Sequence, residues 1–265
     1  MKQRLLSAII AIIVSIPIVI YGGLPFTLFI YILGSIALFE MLRMKKIKLL
    51  TFPGITSLIL LYMIIFPKGY INILYQFILY KGEAILLVTL LLLSYTVFSK
   101  NKFTFENAGF VLLSSIFLGY GFHYAIEVRS EGLVYIIFAL FTIWASDSGA
   151  YFIGRAIGKR KLAPHISPNK TIEGALGGII LSVIVATIFS IVIDVSLQLP
   201  FLMIVTVVIS IFGQLGDLVE SALKRHFVVK DSGRIMPGHG GVLDRFDSLL
   251  FVLPIFYMLL SYFSN

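Results

Sequence analysis

Cysteine is absent from the 265 residues. That excludes disulfides, thiolate metal sites and a cysteine nucleophile, and it is compatible with any compartment. Charge is scarce: Asp, Glu, Lys and Arg make up 13% of the chain, against about 25% in an ordinary soluble domain. Too few polar residues remain to cover a water-facing surface. A soluble globular enzyme, a disordered chain and a fibrous protein are therefore all excluded. What is abundant is apolar: 59% of residues are hydrophobic and the mean hydropathy is +1.01. This composition predicts an all-α, polytopic integral membrane protein. About nine helices of roughly 20 residues would use about two thirds of the chain.

Apolar stretches lie at 5–21, 24–42, 52–67, 83–99, 105–122, 133–152, 174–193, 199–222 and 247–263. The segment 71–80 is too short to span and reads as interfacial. The net charge of +8 resembles a nucleic-acid signal, but in a membrane protein it is read by position. With the N-terminus in the cytoplasm, 18 of the 21 Lys and Arg residues fall in inside segments. Lys68, Lys81 and Arg129 remain outside. That asymmetry supports the orientation and an odd number of spans. The first apolar stretch has no small-residue cleavage site, so no cleavable leader is expected. No internal repeat supports an inverted-repeat transporter.

Residues 1–132 are mostly aliphatic and aromatic and read as scaffold. From 133 to 265, polar residues crowd the cytoplasmic ends of the spans, and the chemistry is expected there. Acidic residues inside spans are costly and mark function by default. They are Glu40, Asp147, Asp217, Glu220 and Asp247. Glu40 stands three residues before Arg43 and reads as half of a local ion pair. Asp217, Glu220, Ser221 and Lys224 recur at i, i+3, i+4 and i+7, on one face of the eighth span. Such a stripe must face a cavity or another polar group.

The following loop carries Arg225, Lys230, Asp231, Arg234 and the run Pro237-Gly238-His239-Gly240-Gly241. It ends in Asp244-Arg245-Phe246-Asp247. Glycines that let backbone N–H groups approach a ligand suit phosphates. Asp244 and Asp247, at i and i+3, turn toward one point, and oxygen ligands with phosphates are how proteins hold magnesium. The pattern points to metal-assisted phosphate chemistry. A basic loop that merely binds anionic headgroups explains the Lys and Arg but not the aspartates. His239, between glycines, is the histidine placed nearest a ligand; His123 reads as interfacial on the outer side.

A second inside loop follows Asp147 and holds Arg155, Lys159, Arg160, Lys161 and Lys170. Gly154 to Lys159 is not a phosphate-binding P-loop: the spacing is short and no Ser or Thr follows the lysine. Ser167 or Thr171 is expected to cap the seventh span, with Glu173 in its first turn.

The run from Ser221-Ala222-Leu223-Lys224-Arg225 through Lys230-Asp231-Ser232-Gly233 to Pro237-Gly238-His239-Gly240-Gly241-Val242-Leu243-Asp244-Arg245-Phe246-Asp247 closely resembles the signature of phosphatidate cytidylyltransferases. Ser167-Pro168-Asn169-Lys170-Thr171-Ile172-Glu173-Gly174 is also similar to that family. Met236 is a small departure, an apolar residue where another apolar residue is usual. The resemblance implies a bacterial inner-membrane enzyme, its site facing the cytoplasm, that joins CTP and phosphatidate into CDP-diacylglycerol and pyrophosphate. It implies magnesium, a second monovalent cation such as potassium, and a homodimer; no nucleic-acid partner is expected. It matches Asp217, Asp244 and Asp247 to the metal-site carboxylates. Asp217, Lys224, Arg225, Lys230, Asp231, His239 and Arg245 are then the candidate catalytic residues. Ser221, Gly238, Gly240, Gly241, Lys170 and Asp147 are the candidate substrate contacts. The rival readings are a CTP-dependent polyprenol kinase, an ion-coupled transporter and a structural protein that binds anionic lipid.

Overall fold

The computed structural model describes residues 2–67, 81–193, 198–233, 235 and 240–263. The 71–80 segment, Arg234, Gly238 and His239 lie outside the described residues. Nine helices are present among those described: α1 (Lys2–Tyr21), α2 (Gly23–Met44), α3 (Phe52–Ile65), α4 (Lys81–Phe98), α5 (Phe105–Glu131), α6 (Leu133–Ile157), α7 (Ile172–Val192), α8 (Leu199–His226) and α9 (Leu243–Phe263). Each predicted apolar stretch lies largely within one of them. Six, α2 and α4 to α8, are long and apolar enough to cross a membrane. The all-α expectation has one exception. The loop after α6 contains a short antiparallel hairpin, β1 (Lys161–Ala163) and β2 (Ser167–Thr171), pairing Lys161 with Thr171 and Ala163 with Ser167. Two strands this short leave no hydrophobic alternation for a sequence reading to detect.

The chain divides into two units, one of Met1–Glu127 with Asp231–Leu243, the other of Val128–Lys230 with Asp244–Asn265. In the first, Leu38, Leu42, Leu60, Leu61, Ile64, Leu118 and Phe122 form a closed apolar core. His123 is buried in this unit rather than interfacial. Its Nδ1 lies 3.2 Å from the Ile65 carbonyl and its Nε2 lies 3.8 Å from Glu127. The Lys81 ammonium donates to the Ile64 carbonyl at 2.7 Å. Carbonyls at the end of α3 lack helical partners, and these side chains supply them.

In the second unit, Phe138, Ala139, Leu202, Val205, Ile209, Val252 and Phe256 are buried. Leu176, Ile180, Ile184 and Ile188 are exposed at every fourth position of α7. An apolar outward face of this kind suits lipid rather than water. Glycines bring α6 and α7 into backbone contact. A Cβ on Gly149 would stand 2.6 Å from the Gly177 carbonyl oxygen and 2.8 Å from the Leu181 Cβ. Neither atom can swing aside. Gly149→Ala should therefore cost about 1–3 kcal/mol through overpacking, read as a lower melting temperature in detergent. An unchanged melting temperature would refute this packing.

Candidate active site

α6 is continued beyond its apolar part by two glycines that let its end close on the next helix. A Cβ on Gly158 would lie 2.5 Å from Thr171 Oγ1, and one on Gly154 would lie 3.0 Å from it. This is why the Gly154–Lys159 stretch is glycine-rich without being a phosphate loop. Thr171 is the N-cap of α7, its hydroxyl oxygen accepting from the Gly174 N–H at 3.1 Å. Glu173, in the first turn, accepts from the backbone N–H groups of Lys159 at 3.0 Å and Arg160 at 3.1 Å. The carboxylate thus pins the start of the hairpin. The Arg225 guanidinium pins the turn of the hairpin by donating to the Ile166 carbonyl at 3.3 Å.

These ties hold Lys170 over α8. Its ammonium donates to Asp217 Oδ2 at 2.5 Å, and the Ser221 hydroxyl lies 3.4 Å from Asp217 Oδ1. Asp147, Tyr151, Arg155, Asn169, Lys170, Gln214 and Asp217 line a cavity of about 450 Å³. That volume is in the range of small-molecule sites, about 300–1,000 Å³. One wall is built on a buried polar network. The Ser146 and Ser210 hydroxyls are 2.7 Å apart, and the Gln214 amide donates to the Ala175 carbonyl at 3.1 Å. Gln214 and Tyr151 are not singled out by the sequence, since single polar residues in a span look like packing until a cavity is seen beside them; Asn169 stands inside the 167–174 run but has no role of its own there.

Gly216 brings α9 against α8, since a Cβ there would lie 2.7 Å from the Asp247 carbonyl oxygen. Asp147 and Asp247 both stand within the electrostatic reach of Asp217, and Asp247 within that of Asp147. The stripe predicted on α8 is present, but it serves two clusters. Asp217 lines the cavity, with the Ser221 hydroxyl beside its carboxylate. Glu220 and Lys224 form an ion pair, and the Lys224 ammonium also donates to Asp244 at 2.8 Å. Asp244 is thus drawn to Lys224, and Asp147, expected only as a substrate contact, joins Asp217 and Asp247. Lys230, Asp231 and Arg245 are exposed. Gly240 has a positive φ of 84°, the left-handed conformation that glycine adopts without strain.

The carboxylates of Asp147, Asp217 and Asp247 offer the hard oxygen donors that magnesium takes, and their mutual repulsion favours a cation among them. Among the described residues no three such groups stand ready around one point; the Lys170 ammonium already lies on Asp217. The donor chemistry fits a divalent cation, with Lys170 the group that must yield.

The pattern defining the cytidylyltransferase family matches residues 2–263. The chain belongs to that family. It is 54% identical over 267 residues to a phosphatidate cytidylyltransferase of Bacillus subtilis, covering 100% of this chain and 99% of that protein. It is 51% identical over 263 residues to the phosphatidate cytidylyltransferase of Staphylococcus saprophyticus and 50% identical over 263 residues to that of Staphylococcus aureus. In both cases 98% of this chain and 99% of the relative are covered. The family membership thus rests on the whole chain and not on the signature alone.

Proposed function

We propose that the chain joins CTP and phosphatidate to give CDP-diacylglycerol and pyrophosphate. The observation that carries this reading is the cavity lined by Asp147, Lys170 and Asp217 where apolar helices end, in a chain of this family. A lipid phosphate at an interface and a water-soluble triphosphate meet only at such a boundary. An oxygen of the lipid phosphate attacks the α phosphorus of CTP in line. The bond from that phosphorus to the bridging oxygen of the β phosphate breaks, and pyrophosphate leaves. Phosphate oxygen is already a nucleophile, so positioning and charge neutralisation carry the reaction.

Magnesium held by Asp217 and Asp247, with Asp244 or Asp147 completing the set, would neutralise charge on the triphosphate. Lys170 holds Asp217 in the cavity and is placed to meet a phosphate once it leaves that carboxylate. Lys224, Arg225, Lys230 and Arg245 supply cationic contacts to phosphates. The signature makes Gly238, Gly240 and Gly241 candidate phosphate contacts, and the Ser221 hydroxyl, 3.4 Å from Asp217 Oδ1, would orient that carboxylate. The signature also makes Asp231 and His239 candidate catalytic groups, although no proton transfer is obligatory. The same reading places nine spans in a bacterial inner membrane, with the N-terminus and the site facing the cytoplasm. It includes a homodimer, residues 133–265 as the catalytic region and a monovalent cation such as potassium beside the magnesium.

The test uses the purified protein in detergent with phosphatidate, magnesium and CTP labelled separately at the α and γ phosphates. The α label should enter lipid while the γ label leaves as pyrophosphate. Transfer of γ label to lipid would make the chain a kinase and overturn the proposal, as would no transfer with any divalent metal.

A further inference from the structure

Among the described residues, the most deeply buried acid outside the cavity is Glu40 of α2, 1% exposed. It does not form the local ion pair with Arg43 expected from the sequence; Arg43 is exposed and Glu40 is turned inward. Its Oε1 accepts from the Val242 N–H at 3.0 Å, and its Oε2 accepts from the Leu243 N–H at 2.9 Å and from the Ser232 hydroxyl at 3.2 Å. Leu243 is the first residue of α9, and the next residue is Asp244. The opening N–H groups of a helix have no helical partner and favour a negative charge. Here that charge comes from a helix about 200 residues earlier in the chain.

The loop is shaped around this carboxylate. A Cβ on Gly233 would stand 2.6 Å from the Glu40 Cδ, and one on Gly241 would run into the Ser232 hydroxyl and both Glu40 oxygens. Two of the signature glycines therefore leave room for Glu40, whatever their N–H groups offer a phosphate.

We propose that Glu40 is a positioning residue for the reaction. It ties Ser232, Val242 and Leu243 to one carboxylate so that the two residues immediately before Asp244, the second of them the first residue of α9, lie in one place. This inference rests on the cytidylyltransfer reading, and its first test does not. Glu40→Gln keeps the size of the side chain but replaces one accepting oxygen with an amide donor. In detergent without nucleotide or metal, the Val242 and Leu243 amides of this variant should exchange hydrogen at least about tenfold faster, as expected for loss of a hydrogen bond to a charged group. Amides of α7 should be unchanged.

In turnover, kcat should fall about 100-fold while the KM for CTP stays within about threefold, the pattern of lost positioning rather than lost binding. Unchanged exchange at 242–243, or faster exchange with wild-type kcat, would overturn the proposal. A merely structural role would lower the melting temperature and the folded yield, but not kcat per folded molecule. If Glu40→Gln does not fold, Gly233→Ala makes the same test, because its methyl displaces the carboxylate. Full protection of 242–243 together with full turnover in that variant would equally overturn the proposal. If the wild-type protein shows no cytidylyl transfer, the function proposal fails while the exchange result still decides whether Glu40 holds the loop.

Discussion

Asp217→Asn and Asp247→Asn should each lower turnover by roughly 1,000-fold, about 4 kcal/mol of transition-state stabilisation, while leaving the melting temperature close to wild type. Asp217 is the centre of the acidic cluster. Asp147 and Asp247 both feel its charge, and its Oδ2 holds Lys170. An amide removes the charge that a divalent cation needs and retains the shape. Asp244→Asn should lose turnover as well, but with a lower melting temperature, because Asp244 is also a partner of the half-buried Lys224. The contrast separates a carboxylate that serves the cavity from one that also serves the fold. The measurement is transfer of α-labelled CTP into lipid across a magnesium titration, with thermal unfolding followed in the same detergent. If all three variants kept near-normal turnover at saturating magnesium, the carboxylates would not be the metal site.

Lys224→Met should be the most destabilising single change in the second unit. The Lys224 side chain is 19% exposed, that of Glu220 4% and that of Asp244 8%. Removing the ammonium strands two buried acids against each other. Breaking a buried ion pair from one side costs about 3–5 kcal/mol. Glu220→Gln alone should be milder, since Lys224 keeps Asp244. Combining Lys224→Met with Glu220→Gln should recover part of the lost stability, because one stranded acid has been neutralised. A Lys224→Met protein that melts with the wild type would show that the cluster carries no net stabilisation. A double variant no more stable than Lys224→Met would show that the loss does not come from the stranded Glu220.

Helix positions were legible because length and apolarity decide them locally. The stretch 199–222 is wholly apolar or small until Gln214, and α8 follows it, running on to His226 because Lys224 and Arg225 favour the carbonyl end of a helix. The hairpin was not legible. Ser167-Pro168-Asn169-Lys170-Thr171 has the polarity of a loop, and its extended form depends on Glu173 and Arg225 holding it from outside. The cap at Thr171 was legible, since a hydroxyl residue three positions before Gly174 satisfies a free N–H by sequence-local geometry.

The sequence by itself determined that this chain is a predominantly helical membrane protein, and it set the polar residues that carry the proposed chemistry mostly in the second half. It also marked Glu40, Asp147, Asp217, Glu220 and Asp247 as costly acids needing a reason, paired Asp244 with Asp247, and pointed to the family through a long run of fixed residue types. These follow from composition, periodicity and identity, which act along the chain. Only the tertiary structure decided which charge meets which. It gave Lys170 to Asp217, Lys224 to Asp244, and Glu40 to the amides that open α9. Those pairings join residues 47, 20 and 203 positions apart. The partner of a buried charge is set by which helices pack together, through contacts such as Gly149 on Gly177 and Gly216 on Asp247, and that packing is not written in the spacing of the charges themselves.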